Sequence, residues 1–350
     1  MGVDVRDYIQ SRIEGLTEDS QEFYSQVPGQ ANDFDTWSAL KLILHSATVN
    51  MYTTVLAQND YYDDLYYIDA LAGSGVSQYN DENRCFLGSP LIAAKDATVP
   101  FKKMYFVEKD PDHAEALERR LEYAFNQKSD KYAEPEQWEV IPRDANKAIP
   151  DIISGMWRSF RNNDNGLNYL CFIDNQGMNV KWPAIEELTP KPYGDLLINL
   201  PTSQAIGRNV GTYPETVGEF YGRDLSTVDI PDTGMREFMR DLYLEQLEDR
   251  NRPVQVNTRV EADVGSYYYD MIYATRDIKA GNGYEETIKY VRDFIEQVHS
   301  GDVDRILDVL DGSQSSLSSY LPDDDEGISE ELAEESSDED SGQTALGEFQ

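Results

Sequence analysis

Between Leu65 and Leu200 short apolar runs alternate with helical segments, and this alternation restricts the fold more than any other feature of the chain. The runs are Leu65–Leu71, Met104–Glu108, Trp138–Pro142, Asn168–Ile173 and Asp195–Leu200, most of them leading into Gly, Asp or Glu. Helical periodicity falls between them, near Asp112–Gln127, Asn146–Ser154 and Lys181–Leu188. Strand, helix and strand in repeated order specify parallel β-α-β units, because each crossover helix returns the chain to the same end of the sheet. The predicted fold class is therefore α/β, a Rossmann-like, mostly parallel sheet with helices on both faces.

The flanks extend this core. From Asp33 to about Asn59, Leu40, Ile43, Leu44, Ala47, Met51 and Val55 recur at helical spacing, which predicts a helix with one apolar face. A helix over Gly234–Arg250 precedes a hairpin, Val254–Val260 with Tyr267–Ala274, and two further helices are expected at Tyr284–Val298 and Val303–Leu310. Residues 1–32 carry two short helical patterns and read as peripheral; residues 33–311 read as one α/β domain. From 312 to 350 the chain is rich in Ser, Asp and Glu. Such a segment buries too little apolar surface to offset its ordering entropy, so it reads as a disordered acidic tail.

Charge limits the partners. Asp and Glu number 66 against 30 Lys and Arg, a net charge of −36. Fourteen acids and no Lys or Arg follow Arg305, which leaves −22 of that total on residues 1–305. An acidic body as well as an acidic tail reads as adaptation to a salt-rich, halophilic cytoplasm, where counterions screen the repulsion. Nucleic acid stays possible as a partner but has no basic patch to support it. Cys85 and Cys171 are too few for a disulfide framework or a cysteine metal site, and no metal site is expected. The opening Met1-Gly2-Val3-Asp4-Val5-Arg6 has no apolar signal core. With no apolar stretch near the roughly 20 residues of a membrane span, the expectation is a cytoplasmic protein without a membrane partner.

In an open parallel sheet a ligand sits beyond the carboxyl ends of the strands, where the strand order reverses. The exit of the first long strand reads Asp69-Ala70-Leu71-Ala72-Gly73-Ser74-Gly75. Gly73 and Gly75 let the main chain approach a ligand, and Asp69 can accept from an amino group. A dinucleotide fingerprint needs a third glycine where Gln78 stands, which disfavours NAD. Glu108 closes the second strand, where a carboxylate can accept from both hydroxyls of a ribose. Asp144 follows the third and can accept from an adenine amino group, although an acid there also fits a plain helix cap. Acids after three successive strands, without a cationic cluster for phosphate, suit S-adenosylmethionine. Asp69, Gly73, Gly75, Glu108 and Asp144 are the candidate cofactor-binding residues.

The segments Tyr67-Ile68-Asp69-Ala70-Leu71-Ala72-Gly73-Ser74-Gly75, Gly88-Ser89-Pro90-Leu91 and Phe106-Val107-Glu108-Lys109-Asp110, with Trp37 and Lys41-Leu42 upstream, resemble the three-Cys-motif partner family, TcmP. The resemblance runs from about Asp35 to about Arg292. It implies a methyltransferase-like fold and a separate partner protein that carries the three cysteines; it does not imply a reaction. The family's usual Asp-Pro-aromatic-Gly pattern maps onto Asp174-Asn175-Gln176-Gly177, which keeps the Asp and the Gly and replaces the proline and the aromatic. Asp174 is thus the candidate catalytic residue and Asn175 a candidate substrate contact, with hydrogen bonding kept and base stacking lost. Arg208, after the fifth strand, is a second candidate substrate contact, or a surface ion pair.

Other reactive side chains read as structural. His45, His113 and His299 lie in helical patterns as packing or surface residues, and methyl transfer needs alignment more than a histidine. Cys171 lies inside a strand, and Cys85 in a long loop. Tyr267, Tyr268, Tyr269 and Tyr273 fit a packed hairpin better than a base-stacking platform. Two functions follow: a methyltransferase-like enzyme using S-adenosylmethionine with an unknown acceptor, favoured by the glycines and the ordered acids, or a non-catalytic binding partner of a three-cysteine protein, favoured by Asn175 and Gln176.

Overall fold

The computed structural model describes residues 5–35, 37–58, 62–79, 84–160, 166–189, 193–262, 267–277 and 283–310. The acidic tail expected over 312–350 lies outside them. The described strands are β1 (Asn32–Phe34), β2 (Tyr62–Asp69), β3 (Val76–Tyr79), β4 (Arg84–Leu87), β5 (Lys103–Val107), β6 (Gln137–Ile141), β7 (Gly166–Asp174), β8 (Asp195–Leu200), β9 (Val254–Glu261) and β10 (Tyr268–Thr275). The helices are α1 (Val5–Thr17), α2 (Ser20–Gln26), α3 (Trp37–Ala57), α4 (Ser89–Asp96), α5 (Pro111–Gln127), α6 (Ala145–Phe160), α7 (Trp182–Glu187), α8 (Gly207–Asn209), α9 (Pro214–Tyr221), α10 (Met235–Glu248), α11 (Gly283–Ile295) and α12 (Ser300–Leu310).

Seven strands form one sheet in the order β6-β5-β2-β7-β8-β10-β9. The five from β6 to β8 in this order pair in parallel, while β10 runs antiparallel to both β8 and β9. This is the expected Rossmann-like, mostly parallel sheet. From β2 the chain first builds outward through β5 and β6, then returns to β2's other side with β7 and β8. The reversal lies between β2 and β7, and there the carboxyl ends of two adjacent strands diverge into a crevice.

Both faces of the sheet are dry from β5 through β10, which explains why those strands read as continuous apolar runs, while the edge strands β6 and β9 stay partly exposed. Leu65, Tyr67, Met104, Phe106, Leu170, Phe172 and Leu197 point into one core, covered by α3, α4, α5 and α11. Tyr66, Ile68, Tyr105, Val107, Cys171, Ile173 and Ile198 point into the other, covered by α6, α7, α9 and α10. Neighbouring residues of one strand enter opposite cores because side chains alternate along a strand.

Two elements depart from expectation. The periodicity of α3 predicts one apolar face, but residues 39–49 are buried around the whole circumference. The N-terminal helices are the cause: Ile9, Ile13, Leu16 and Phe23, from the stretch that reads as peripheral, enter the same core as α3, and α11 and α12 add Phe294, Ile295 and Ile306. Cys85 is not in a loop; it is buried in β4, which with β1 and β3 forms a small second sheet. Its three strands are too short to leave a periodic signal. Among the described residues no helix is long and apolar enough to cross a membrane, and no cluster of three or more metal-ligating side chains occurs.

Candidate functional site at the sheet reversal

The glycine turn after β2 is fixed from three sides. Gly73 and Gly75 have φ of +63° and +82°, the left-handed region where a side chain is strained. The Gly73 amide donates to Glu108 Oε2 at 2.9 Å, and the Ser74 amide donates to Asn32 Oδ1 at 2.8 Å. From below, the buried Arg120 of α5 donates through Nη1 to the carbonyls of Ser74 and Gln30, at 2.8 and 2.7 Å. Burial, foremost, holds that guanidinium down to about 10, still charged at neutral pH. Thus β1 and α5 hold the turn that β2 presents.

Behind the turn lies a buried polar chain. His45 Nε2 of α3 is 2.8 Å from Tyr67 Oη, and Tyr67 Oη donates to Asp69 Oδ2 at 3.3 Å. All three are fully buried. Burial above all, with the nearby negative charge of Asp174, pushes Asp69 up to about 7, against hydrogen bonds from Ser89, Leu71 and Tyr67. Burial also holds His45 down to about 3, so its ring is neutral and packs tilted against Phe172 at 4.4 Å between centroids.

Asp174, at the tip of β7, is engaged on both oxygens. Lys41 Nζ donates to Oδ2 at 2.6 Å and Asn199 Nδ2 to Oδ1 at 2.9 Å. Asn199 stands opposite Asp174 in the β7–β8 register. The Lys41–Asp174 pair leaves only 9% and 14% of the two side chains exposed, so each charge has the other as its main compensation. Asn175 is fully buried; its Oδ1 accepts from the Val180 amide at 2.9 Å, while its Nδ2 has no partner. Asn199 Oδ1 is likewise buried and unpartnered.

Two adjacent hollows lie at this edge. The narrower, about 60 Å³, is bounded by Asn32, Gly73, Gly75, Ser89, Lys41 and Asp174. The wider, about 250 Å³, is bounded by Asp35, Asn175, Asn199, Pro201, Gln204 and Tyr267 among others. Asp33, Ser38, Lys41 and Gln176 line both, so the Lys41–Asp174 pair stands at the junction.

The candidate residues therefore separate into groups. Gly73, Gly75 and Asp174 line the narrow hollow, Asn175 lines the wide one, and Asp69 is sealed behind the first. Glu108 reaches the turn through Gly73 and caps the chain through the Asp110 amide at 2.8 Å. Asp144 lies apart: it is exposed, and its Oδ1 accepts from the Asn146 amide at 2.9 Å, the cap geometry. Arg208 is exposed on α8 and lines neither hollow. Of the tyrosines, Tyr273 is buried as a packing residue away from the hollows, while half-buried Tyr267 and the more buried Tyr268 and Tyr269 all border the wide one. Sequence reasoning missed Asn32, Lys41 and Asn199 as site residues. A lysine on the apolar face of α3 was the one available signal; Asn32 and Asn199 reach the site only through tertiary contacts.

A larger surface groove of about 970 Å³, between α7 and α9, is lined by Pro183, Pro214, Glu219 and Arg223 among others, and contains none of these residues.

No family model matches the chain, and no curated protein matches it. Among solved structures, it is similar to a Legionella pneumophila protein of family DUF519, at 10% identity and a TM-score of 0.46, over 73% of this chain and 93% of that one. It is also similar to Trm1 from Pyrococcus horikoshii in complex with S-adenosyl-L-methionine, at 11% identity and 0.37, over 72% and 57% of the two chains. A third is the plantazolicin methyltransferase BpumL in complex with SAH, at 8% and 0.31, over 78% and 95%. Likenesses this distant say nothing of activity.

Proposed function

We propose that this chain binds S-adenosylmethionine at the β2–β7 reversal and acts as a methyltransferase-like enzyme. The observation that carries the reading is the junction itself: a narrow hollow under a left-handed glycine turn meets a wider polar hollow, with Lys41–Asp174 between them. The donor set fits this cofactor. Asp69 is a buried carboxyl with no cation among its hydrogen-bond partners, the Glu108 oxygens each keep a second lone pair beside the turn, and among the described residues lining the narrow hollow Lys41 is the one cation, too few for a phosphate cluster. The bound group would supply an electrophilic methyl.

What the chain supplies is alignment and exclusion of water. The narrow hollow takes the amino-acid end near Asp69, and the nucleoside extends over Glu108 toward the open edge at Asp144. Lys41 fixes Asp174 in one rotamer, so the junction is rigid where an acceptor, methyl and sulfur must line up. Asp174 then acts by charge and position. Each of its oxygens accepts one hydrogen bond, from Lys41 or Asn199, and keeps a second lone pair.

That ion-paired carboxylate also favours a second reading, a non-catalytic partner of a three-cysteine protein, in keeping with the resemblance to the three-Cys-motif partner family. Calorimetric titration with S-adenosylmethionine and its demethylated product, in molar salt, tests the cofactor. Folded protein that binds neither overturns the proposal. Labelled-methyl transfer to cellular RNA, DNA and protein, with the three-cysteine partner present, separates the two readings. The enzyme reading expects Asp174→Ala to keep cofactor affinity within about threefold and to lower turnover about 10²-fold or more. Cofactor binding with no labelling by either form supports the partner reading.

A further inference from the structure

Lys41 and Asn199 each bond one oxygen of Asp174 and fix its position, and beside it stand two amides with polar atoms left unpaired. Asn175 Oδ1 is fixed by the Val180 amide, which turns Nδ2 the other way, and that donor is buried without a partner. Asn199 Nδ2 is fixed by Asp174, which leaves Oδ1 as a buried acceptor without a partner. Both residues line the wide hollow. A buried polar atom left unpaired costs about 1–3 kcal/mol, so one donor and one acceptor unpaired at adjacent strand ends mark a place where something else completes the bonds.

We infer that the wide hollow is the acceptor subsite and that it takes an uncharged group bearing a hydrogen-bond acceptor and donor side by side, the amide-type edge of a nucleobase or a carboxamide. The acceptor role of the hollow rests on the function proposed above; the hydrogen-bond and charge pattern does not. Asn175 Nδ2 donates to the ligand's carbonyl or ring nitrogen, and Asn199 Oδ1 accepts from its N–H. Asp33 and Asp35 also line the hollow, and Lys41, the one cation among the described lining residues, is already neutralised by Asp174. Phosphate and carboxylate groups are therefore disfavoured inside the hollow, and the charge of Arg208 is felt at its rim through Tyr267. A volume of about 250 Å³ holds one heterocycle or one side chain. The ligand is then a small molecule or a single flipped-out group whose own charge lies outside the hollow.

The test is equilibrium binding of uridine, cytidine, N-acetylglutaminamide and uridine 5′-monophosphate to the full chain in molar potassium chloride, each with and without the demethylated cofactor. At least one uncharged probe is expected to bind, the nucleosides indicating a base and the amide a carboxamide as the source of the edge. The 5′-monophosphate is expected to bind at least about tenfold more weakly than uridine. Asn175→Asp keeps the acceptor for Val180 and removes the donor, so in protein that remains folded it should weaken the preferred probe about tenfold or more while leaving the cofactor affinity near wild type. Asn175→Ala provides the same readout without a new charge. Binding of no uncharged probe in either state overturns the inference, as does a preference for the phosphate or equal probe affinity in both variants. Probe binding without cofactor binding leaves this inference standing and removes the proposed function instead.

Discussion

Asp69 shows how far a residue's place decides its chemistry. Its ordinary carboxyl range is near 4, and burial lifts it to about 7 in the folded protein. As pH rises from about 4 to about 7 the unfolded chain gives up this proton first, so Asp69 lowers stability progressively over that window and adds no further pH dependence above it. His45 acts from the other side: it stays neutral when folded down to about pH 3, so stability is lost as pH falls from about 6.5 toward that value. Asp69→Asn should therefore gain on wild type between about pH 4 and pH 7 by a few kcal/mol, because each tenfold difference in proton affinity between the folded and unfolded chain is worth about 1.4 kcal/mol. Urea unfolding of both forms across this range checks it; a difference constant with pH would rule out the raised carboxyl. Asp69 and Asp174 were both legible as strand-end acids. That one is sealed behind a serine and a tyrosine, and the other ion-paired to a helix lysine, was not.

At the level of elements, the glycine turn depends on a strand far from it in sequence. A Cβ at Gly73 would lie 2.7 Å from Asn32 Oδ1, the atom that accepts from the Ser74 amide. Gly73→Ala thus meets two penalties, a φ of +63° and a clash with Asn32, while Asn32→Ala leaves the Ser74 amide without its partner, at about 1–3 kcal/mol. The double variant removes the clash and keeps the strain. It should be less destabilised than the sum of the single changes by about 1 kcal/mol or more, a coupling that a double-mutant cycle of urea unfolding measures. Additive effects would mean that Asn32 does not support the turn. Four of the five parallel strands were legible because both their faces are dry, and half-exposed β6 by Trp138, Val140 and Ile141, but three-residue β1 carries no period. The full burial of α3 was hidden because its outer face is covered by helices from both ends of the described chain.

Charge belongs to the whole molecule. A net −36 on 350 residues, with −22 on residues 1–305, means repulsion that grows as the chain compacts. The structure offsets some of it locally: Lys128 and Lys131 tie Asp19, Glu18 and Glu22 of the α1–α2 corner to α5 and the turn that follows it. Hydrogen bonds from Lys131 and Lys95 draw Glu18 down to about 2. The more exposed of these pairs weaken in salt, yet the general repulsion weakens too, and the excess of acids over bases makes the second effect the larger. The melting temperature should rise as potassium chloride goes from about 0.1 M to about 1 M, where the screening length falls from about 10 Å to about 3 Å. Sucrose at matched osmolality should reproduce little of the rise. A melting temperature indifferent to salt would mean that the acidic surface is already compensated.

By itself the sequence determined the α/β class, the five parallel strands within a few residues at each end, the glycine turn, and the edge of the sheet where polar side chains collect. These are local properties: apolar runs, periods of two and of 3.6, and the backbone freedom of glycine are all written within a few neighbouring residues. The tertiary structure alone decided how those side chains are spent. It brought Lys41 of α3 to within 2.6 Å of Asp174, 133 positions away, set Asn199 against the same carboxylate, and left Asn175 Nδ2 and Asn199 Oδ1 buried without partners, on two residues that line one hollow. A hydrogen bond between strand ends or across a core depends on register, packing and the covering of one element by another, and no window of sequence contains all of these.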